Sequence, residues 1–234
     1  MRWRRCAKRW KRATKGYNWG DWELTLDAQR MACWANRFVL WFTRHWLALV
    51  NSVLAVVLGL AFLAPWLMLH GHGAGGQLIY LLYRPLCHQL PERSFFLGGA
   101  QPWYSYEQLA KALGTQVPAR YIGNGQLGYK VAFCERDVAI YAGYLGLGLI
   151  FGLFRRRMKP LPWQVVILAI IPMAIDGTIQ LFGLAESTPL RRVLTGGLFG
   201  IAVMWFALPW VERGMSEAHQ IAREGVEGID AGKQ

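Results

Sequence analysis

The chain has 234 residues, a formal charge of +12, 54% hydrophobic residues and only 17% charged ones. Soluble domains carry about 25% charged residues, so an ordinary soluble enzyme, a disordered tail and a collagen-like fibre all fit poorly. Four Cys exclude a disulfide-dense mini-scaffold, and the basic residues border long apolar runs without a base-reading motif, which favours a membrane protein over a nucleic-acid binder.

Residues 1–45 form a basic arm, with Trp3 and Trp10 among eight basic residues in the first fifteen. Such a segment is expected to lie at anionic headgroups on the cytoplasmic side. It is not a signal peptide, because the apolar run behind it is too long and lacks a small-residue cleavage site. The first span runs from Trp46 to Leu69 and includes Pro65, which membrane helices tolerate. Gln77 to Leu90 is cut by Arg84 and Pro85 and is too short to cross; it reads as a re-entrant or interfacial segment. Residues 70–137 are long for a loop and predict a small outer subdomain. Within it, Ser105-Tyr106-Glu107-Gln108 has the pattern of a capping box, and Gly114 is placed to end that helix. Three further spans follow: Val138 to Phe154, Leu161 to Leu184 with one charge at Asp176, and Val193 to Val211. The tail 212–234 reads as a mobile helix end. The expected fold is therefore an all-α membrane protein of four transmembrane helices, a short re-entrant or interfacial segment and an extracytoplasmic subdomain.

Orientation follows from Lys and Arg. With four spans, 18 basic residues fall on the side of the termini and 8 on the other, and Arg155-Arg156-Arg157 mark a five-residue loop. Both termini are expected in the cytoplasm and the protein in the cell (inner) membrane. Trp41, Trp46, Trp66, Trp163, Trp205 and Trp210 fall at span ends, where interfacial anchors belong.

Four polar clusters are expected at the outer end: Cys87-His88-Gln89-Leu90-Pro91-Glu92-Arg93-Ser94-Phe95, Cys134-Glu135-Arg136-Asp137 with Tyr141, Asp176-Gly177-Thr178-Ile179-Gln180, and Glu186-Ser187 with Arg191 and Arg192. Fifteen residues at 1.5 Å each carry Asp176 about 22 Å into a core of about 30 Å, close to its outer edge. A charge at that depth is a functional-site hypothesis, its rival being an Asp–Arg pair that locks helices. Cys87, His88, Cys134 and Asp137 allow three readings. Two thiolates, an imidazole and a carboxylate are ligand types that a divalent metal such as zinc accepts; a Cys87–Cys134 disulfide would staple the subdomain; or the thiols are buried small apolar groups. Asp176, Gln180 and Glu186 are candidate acid/base or supporting groups. Arg93, Arg136, Arg191 and Arg192 are candidates to neutralise an anionic headgroup or phosphate. Cys6 and Cys33 lie on the reducing side with no expected role. His45, His70 and His72 are conceivable haem or chlorophyll ligands, but interfacial solvated histidines are the expectation. Gly148/Gly152 and Gly196/Gly200 permit close helix approach, inside the chain or against other membrane-protein subunits.

CHQLPERSF at 87–95, CERD with Tyr141 at 134–141, and PMAIDGTIQLFGLAESTPLRRVLTG at 172–196 resemble the multi-pass membrane proteins of domain-of-unknown-function family 2085 over about residues 78–200. Members of that family often carry a second Cys three positions after the equivalent of Cys134; here Asp137 stands there, a harder ligand. The resemblance implies a membrane class and these motifs, without an activity. Three functions remain in competition: a metal-dependent protein acting on a lipid-linked or anionic substrate, an accessory subunit of a respiratory or photosynthetic membrane complex, and a thiol–disulfide protein using Cys87 and Cys134. No dinucleotide fingerprint, P-loop or nucleophile elbow is present.

Overall fold

The structure is a computed structural model that describes residues 21–155, 157–184 and 186–231, with side chains from Met31 to Glu227. Trp3, Cys6 and Trp10 of the basic arm and Arg156 of the triplet lie outside the described residues. In chain order the elements are α1 (Asp21–Leu69), α2 (Gly73–Tyr83), a 3₁₀ turn at Pro91–Arg93, β1 (Phe96–Leu97), α3 (Tyr106–Leu113), β2 (Gly123–Asn124), β3 (Gly128–Lys130), α4 (Glu135–Phe154), α5 (Trp163–Leu181) and α6 (Pro189–Ala231). Four segments are long and apolar enough to cross a membrane: Met31–Leu69, Glu135–Phe154, Trp163–Leu181 and Pro189–Glu227. α2, at 11 residues, is too short to do so.

The four expected spans are present, but two are parts of longer helices. α1 has 49 residues and α6 has 43, so the tail expected to fray after 211 continues as helix to Ala231. The chain divides into two compact units. One comprises the chain up to His45 and from Gly214 onward; the other is Trp46–Arg213. In the first unit Thr43 Oγ1 and His219 Nδ1 lie 2.9 Å apart, and Thr43 and Ala222 are buried.

Within Trp46–Arg213, Pro65 determines how the segment 70–134 docks on α1. Proline has no N–H, so the carbonyl four residues earlier, Ala61, loses its helical donor. The Ala132 backbone N–H takes that place at 3.1 Å. The Tyr83 hydroxyl donates to another α1 carbonyl, Val57. Around these bonds Ala61, Ala64, Ile79, Tyr80, Tyr83, Cys87, Val131, Ala132 and Phe133 form one buried cluster.

The segment between α2 and α4 holds a three-stranded sheet, ordered β1-β3-β2 and antiparallel throughout, which the apolar and polar pattern of the sequence does not reveal. Its strands have two or three residues, too few for the alternation of polar and apolar positions to register. Gly128 makes the crowded pairing possible, with φ +79 and a Cβ position only 2.3 Å from the Leu97 carbonyl oxygen. α3 begins with the expected box: Gln108 N–H donates to Ser105 Oγ at 3.2 Å and Ser105 N–H to Gln108 Oε1 at 2.8 Å. Gly114, left-handed at φ 67, ends it.

The small-residue faces are taken up inside the chain. A Cβ on Gly200 would lie 2.6 Å from the Ile140 carbonyl, one on Gly196 2.8 Å from that of Arg136, and one on Gly148 2.1 Å from Asn51 Oδ1. These glycines bring α6 against α4 and α4 against α1, which is the internal close approach expected of them. Gly152 has more room, with Leu47 Cδ2 at 3.7 Å. Gly200→Ala should therefore cost about 1–3 kcal/mol, because the obstacle is backbone, while Gly152→Ala should be near neutral. Thermal unfolding of the two variants in the same detergent checks this; equal melting temperatures would reject the packing.

Five of the six expected Trp anchors are exposed: Trp41, Trp66, Trp163, Trp205 and Trp210. Trp46 departs from the expectation. It is 3% exposed, its Nε1–H donates to Glu212 at 3.1 Å, and the Arg155 guanidinium stands 5.7 Å from its ring while pairing with Glu212 at 2.6 Å.

Candidate metal centre and the ion-pair hub

The tetrapeptide Cys134-Glu135-Arg136-Asp137 closes the turn into α4. Cys134 is the N-cap, with extended backbone, and its sulfur accepts the Asp137 N–H at 3.4 Å. Successive side chains in a first helical turn point about 100° apart, so Glu135, Arg136 and Asp137 leave the axis in three directions. Each reaches a different partner.

Asp137 and Cys134 face Cys87. The ligand atoms of Cys87, Cys134 and Asp137 all lie within 4.8 Å of one another. Cys134 Sγ–H donates to Asp137 Oδ2 at 3.2 Å, and the Cys134 backbone N–H donates to Cys87 Sγ at 3.3 Å. Cys87 is buried and both thiols are free. The neighbouring Cys134 side chain pulls the Cys87 thiol below its ordinary pKa, and the Cys87 side chain, with burial, pushes the Cys134 thiol up. Of the two thiols, Cys87 therefore gives up its proton more readily than Cys134. Phe133 and Tyr141 stack at 4.9 Å beside this group, and Tyr83 meets Phe133 edge-on at 4.8 Å. His88, the fourth expected ligand, is exposed and not part of the group.

Glu135 points to Arg192. Their side chains are 0% and 7% exposed, and Arg192 Nη1 reaches Glu135 Oε2 at 3.0 Å and the Glu92 carbonyl at 3.4 Å. Arg136 points to Asp176, with Nη2 to Oδ2 at 2.5 Å; Ser187 Oγ donates to the same oxygen at 2.9 Å, and Arg191 reaches Oδ1 at 3.3 Å. All four polar clusters thus join at one tetrapeptide, as the depth arithmetic for Asp176 requires.

The geometry divides the expected site residues. Asp176 is 3% exposed and its carboxylate is fully occupied by two guanidinium groups and a hydroxyl, an arrangement suited to locking α4, α5 and the start of α6 together. Arg136, Arg191 and Arg192 point their charge at acids of their own chain. Arg93 is half-buried and makes no ion pair among the described residues. Gln180 presents a buried Nε2 without a partner, and Glu186 is exposed with no ion pair among the described residues. His45 and His70 are exposed and stack on Trp41 and Trp66 at 5.2 and 4.1 Å; His72 is exposed too.

Three residues here were not singled out from the sequence. Glu135 lay inside a quoted motif, Ser187 beside Glu186, and Lys130 in a strand too short to read. Lys130 is 1% exposed. Burial lowers its pKa to about 8, against the charges of Cys87 and Glu92, which raise it. The available signal was a single charge just before the apolar run Val131-Ala132-Phe133.

Four apolar helices with charged groups gathered at one end define a multi-pass helical membrane protein. The family model described as "Predicted membrane protein (DUF2085)" matches residues 125–206, a stretch that holds Cys134, Asp137, Asp176, Arg191 and Arg192 but not Cys87. An uncharacterised protein of Methanocaldococcus jannaschii is 31% identical over 175 residues, covering 71% of this chain and 92% of that protein. The chain belongs to this membrane-protein family. No solved structure matches it.

Proposed function

We propose that the protein holds a divalent metal, zinc before others, through Cys87, Cys134 and Asp137, with a fourth position left for water or a substrate atom. The observation that carries this reading is the approach of three ligand atoms, from two segments far apart in sequence, to within 4.8 Å. Ligands bound at 2.0–2.3 Å around a tetrahedral ion lie roughly 3.3–3.8 Å apart, so small side-chain rotations close the set. Two thiolates suit zinc, and the carboxylate extends the range toward harder ions. A zinc with three protein ligands supplies an activated water and a polarising centre for a carbonyl or phosphoryl oxygen. Phe133 and Tyr141 form an aromatic wall beside the group, and Arg93, six residues along the chain from Cys87, makes no ion pair among the described residues. That combination favours a lipid-linked or anionic substrate at the outer face of the cell membrane, with both termini in the cytoplasm.

Metal analysis of the protein purified in detergent tests the reading. The expected result is about one zinc per chain, falling below about a tenth of that in Cys87→Ser and in Cys134→Ser. Substoichiometric metal in the unaltered protein overturns it. A second reading, thiol–disulfide exchange, is favoured by the two free sulfurs lying within 4.8 Å of each other. Acid-quenched alkylation followed by mass spectrometry separates the two, since only exchange predicts a fraction of chains with Cys87 joined to Cys134.

A further inference from the structure

We infer that Lys130, together with Tyr80, is a positioning residue of the Cys87/Cys134/Asp137 group: the two clamp the turn that presents Cys87. The inference rests on the metal reading above for its consequence, but its geometry stands by itself. Gln89, two residues after Cys87, has φ 54, the one non-glycine residue in left-handed backbone among the described residues. That conformation is unfavourable for a residue with a side chain and persists only where the surroundings over-determine it. They do so through a closed ring of three bonds. Lys130 Nζ donates to the Gln89 carbonyl, Gln89 Nε2 donates to the Tyr80 carbonyl at 2.9 Å, and the Tyr80 hydroxyl donates to the Lys130 carbonyl.

The ring is anchored on both sides. Tyr80 belongs to α2, 2% exposed, and Lys130 ends β3, where its N–H donates to the Ile122 carbonyl at 2.8 Å and its backbone pairs with Phe96. Four residues after Lys130 comes Cys134, whose N–H meets Cys87 Sγ. The two cysteines therefore reach each other from segments tied together by Lys130. A buried lysine is expensive, and the usual compensation is a carboxylate. No carboxylate lies within ion-pair distance of Lys130 among the described residues. Its ammonium is instead spent on a backbone carbonyl beside a proposed ligand, as a group would be whose task is to hold that turn. Outer-layer groups that orient metal ligands have this character.

The test uses the full chain in detergent micelles, with Lys130→Met, Lys130→Arg and Tyr80→Phe, and with the exposed Lys111→Met as control. Two quantities are read: the affinity for Co²⁺ from the thiolate-to-cobalt absorption band, and the alkylation rate of Cys87 in metal-free protein. Lys130→Met should weaken Co²⁺ binding about 10–100-fold and raise the Cys87 alkylation rate about tenfold as the turn loosens. Tyr80→Phe should shift both in the same direction by less, and Lys130→Arg should recover most of the loss. Unchanged affinity together with unchanged alkylation in Lys130→Met overturns the inference; if that variant does not fold, the same result in Tyr80→Phe does. If unaltered protein gives no cobalt band while Lys130→Met still exposes Cys87, the metal reading fails and the clamp stands.

Discussion

Glu135→Ala should destabilise the protein by about 3–5 kcal/mol, the largest effect of any single truncation in the hub. Glu135 is 0% exposed and Arg192 7%, so removing the acid leaves a buried guanidinium whose remaining acceptor among the described residues is the Glu92 carbonyl, at 3.4 Å. The loss comes from the stranded charge more than from the bond itself. A double variant, Glu135→Leu with Arg192→Leu, removes both charges and should return to within about 1 kcal/mol of the unaltered protein or exceed it. Denaturant titration of the single and double variants in mixed micelles measures this. A double variant no better than the sum of its singles would show that the two groups are not a pair. One carboxylate oxygen of Glu135 and Arg192 Nε have no partner among the described residues, so this pair is already short of full satisfaction. That shortfall is a further reason for apolar replacement to be tolerated.

Asp176→Ala comes second, at about 2–4 kcal/mol. It strands Arg136, which is 21% exposed, and frees Ser187; Arg191, 51% exposed, can turn to water and adds little. The decisive feature is what should not change. Asp176 lies outside the group formed by Cys87, Cys134 and Asp137, so the cobalt spectrum of Asp176→Ala, taken where the variant is still folded, should match that of the unaltered protein. Stability measured by unfolding and ligand geometry measured by absorption would thus separate. A lost band with unchanged stability would instead tie Asp176 to the ligand group and reject its reading as a helix lock alone.

The two ion pairs and the thiol group are consequences of one local event. Cys134 caps α4, and the following three residues carry a negative, a positive and a negative side chain. One turn thus ties three segments at once: the Cys87 loop through the Cys134 N–H, α6 through Glu135, and α5 through Arg136. At a membrane boundary such ties are worth more than on a soluble surface, because water competes for them less. The hub therefore connects lock and candidate metal site, and damage to the first is expected to loosen the second only when the α4 entrance itself moves.

The sequence by itself determined the class, the four spans, the capped helix at Ser105 and the gathering of polar clusters at one end. Each follows from local or one-dimensional information: the length of an apolar run, the spacing of a cap, or the rise per residue that sets the depth of Asp176. Partnership was decided only by the tertiary structure. Nothing within the chain's order says that Asp176 answers Arg136 rather than a substrate, that Glu135 answers Arg192, or that His88 turns away while Lys130 turns in. Those choices depend on how α4, α5 and α6 rotate about their axes. That rotation is fixed by contacts between distant residues, such as Gly200 against the Ile140 carbonyl and Ala132 on the carbonyl that Pro65 leaves free.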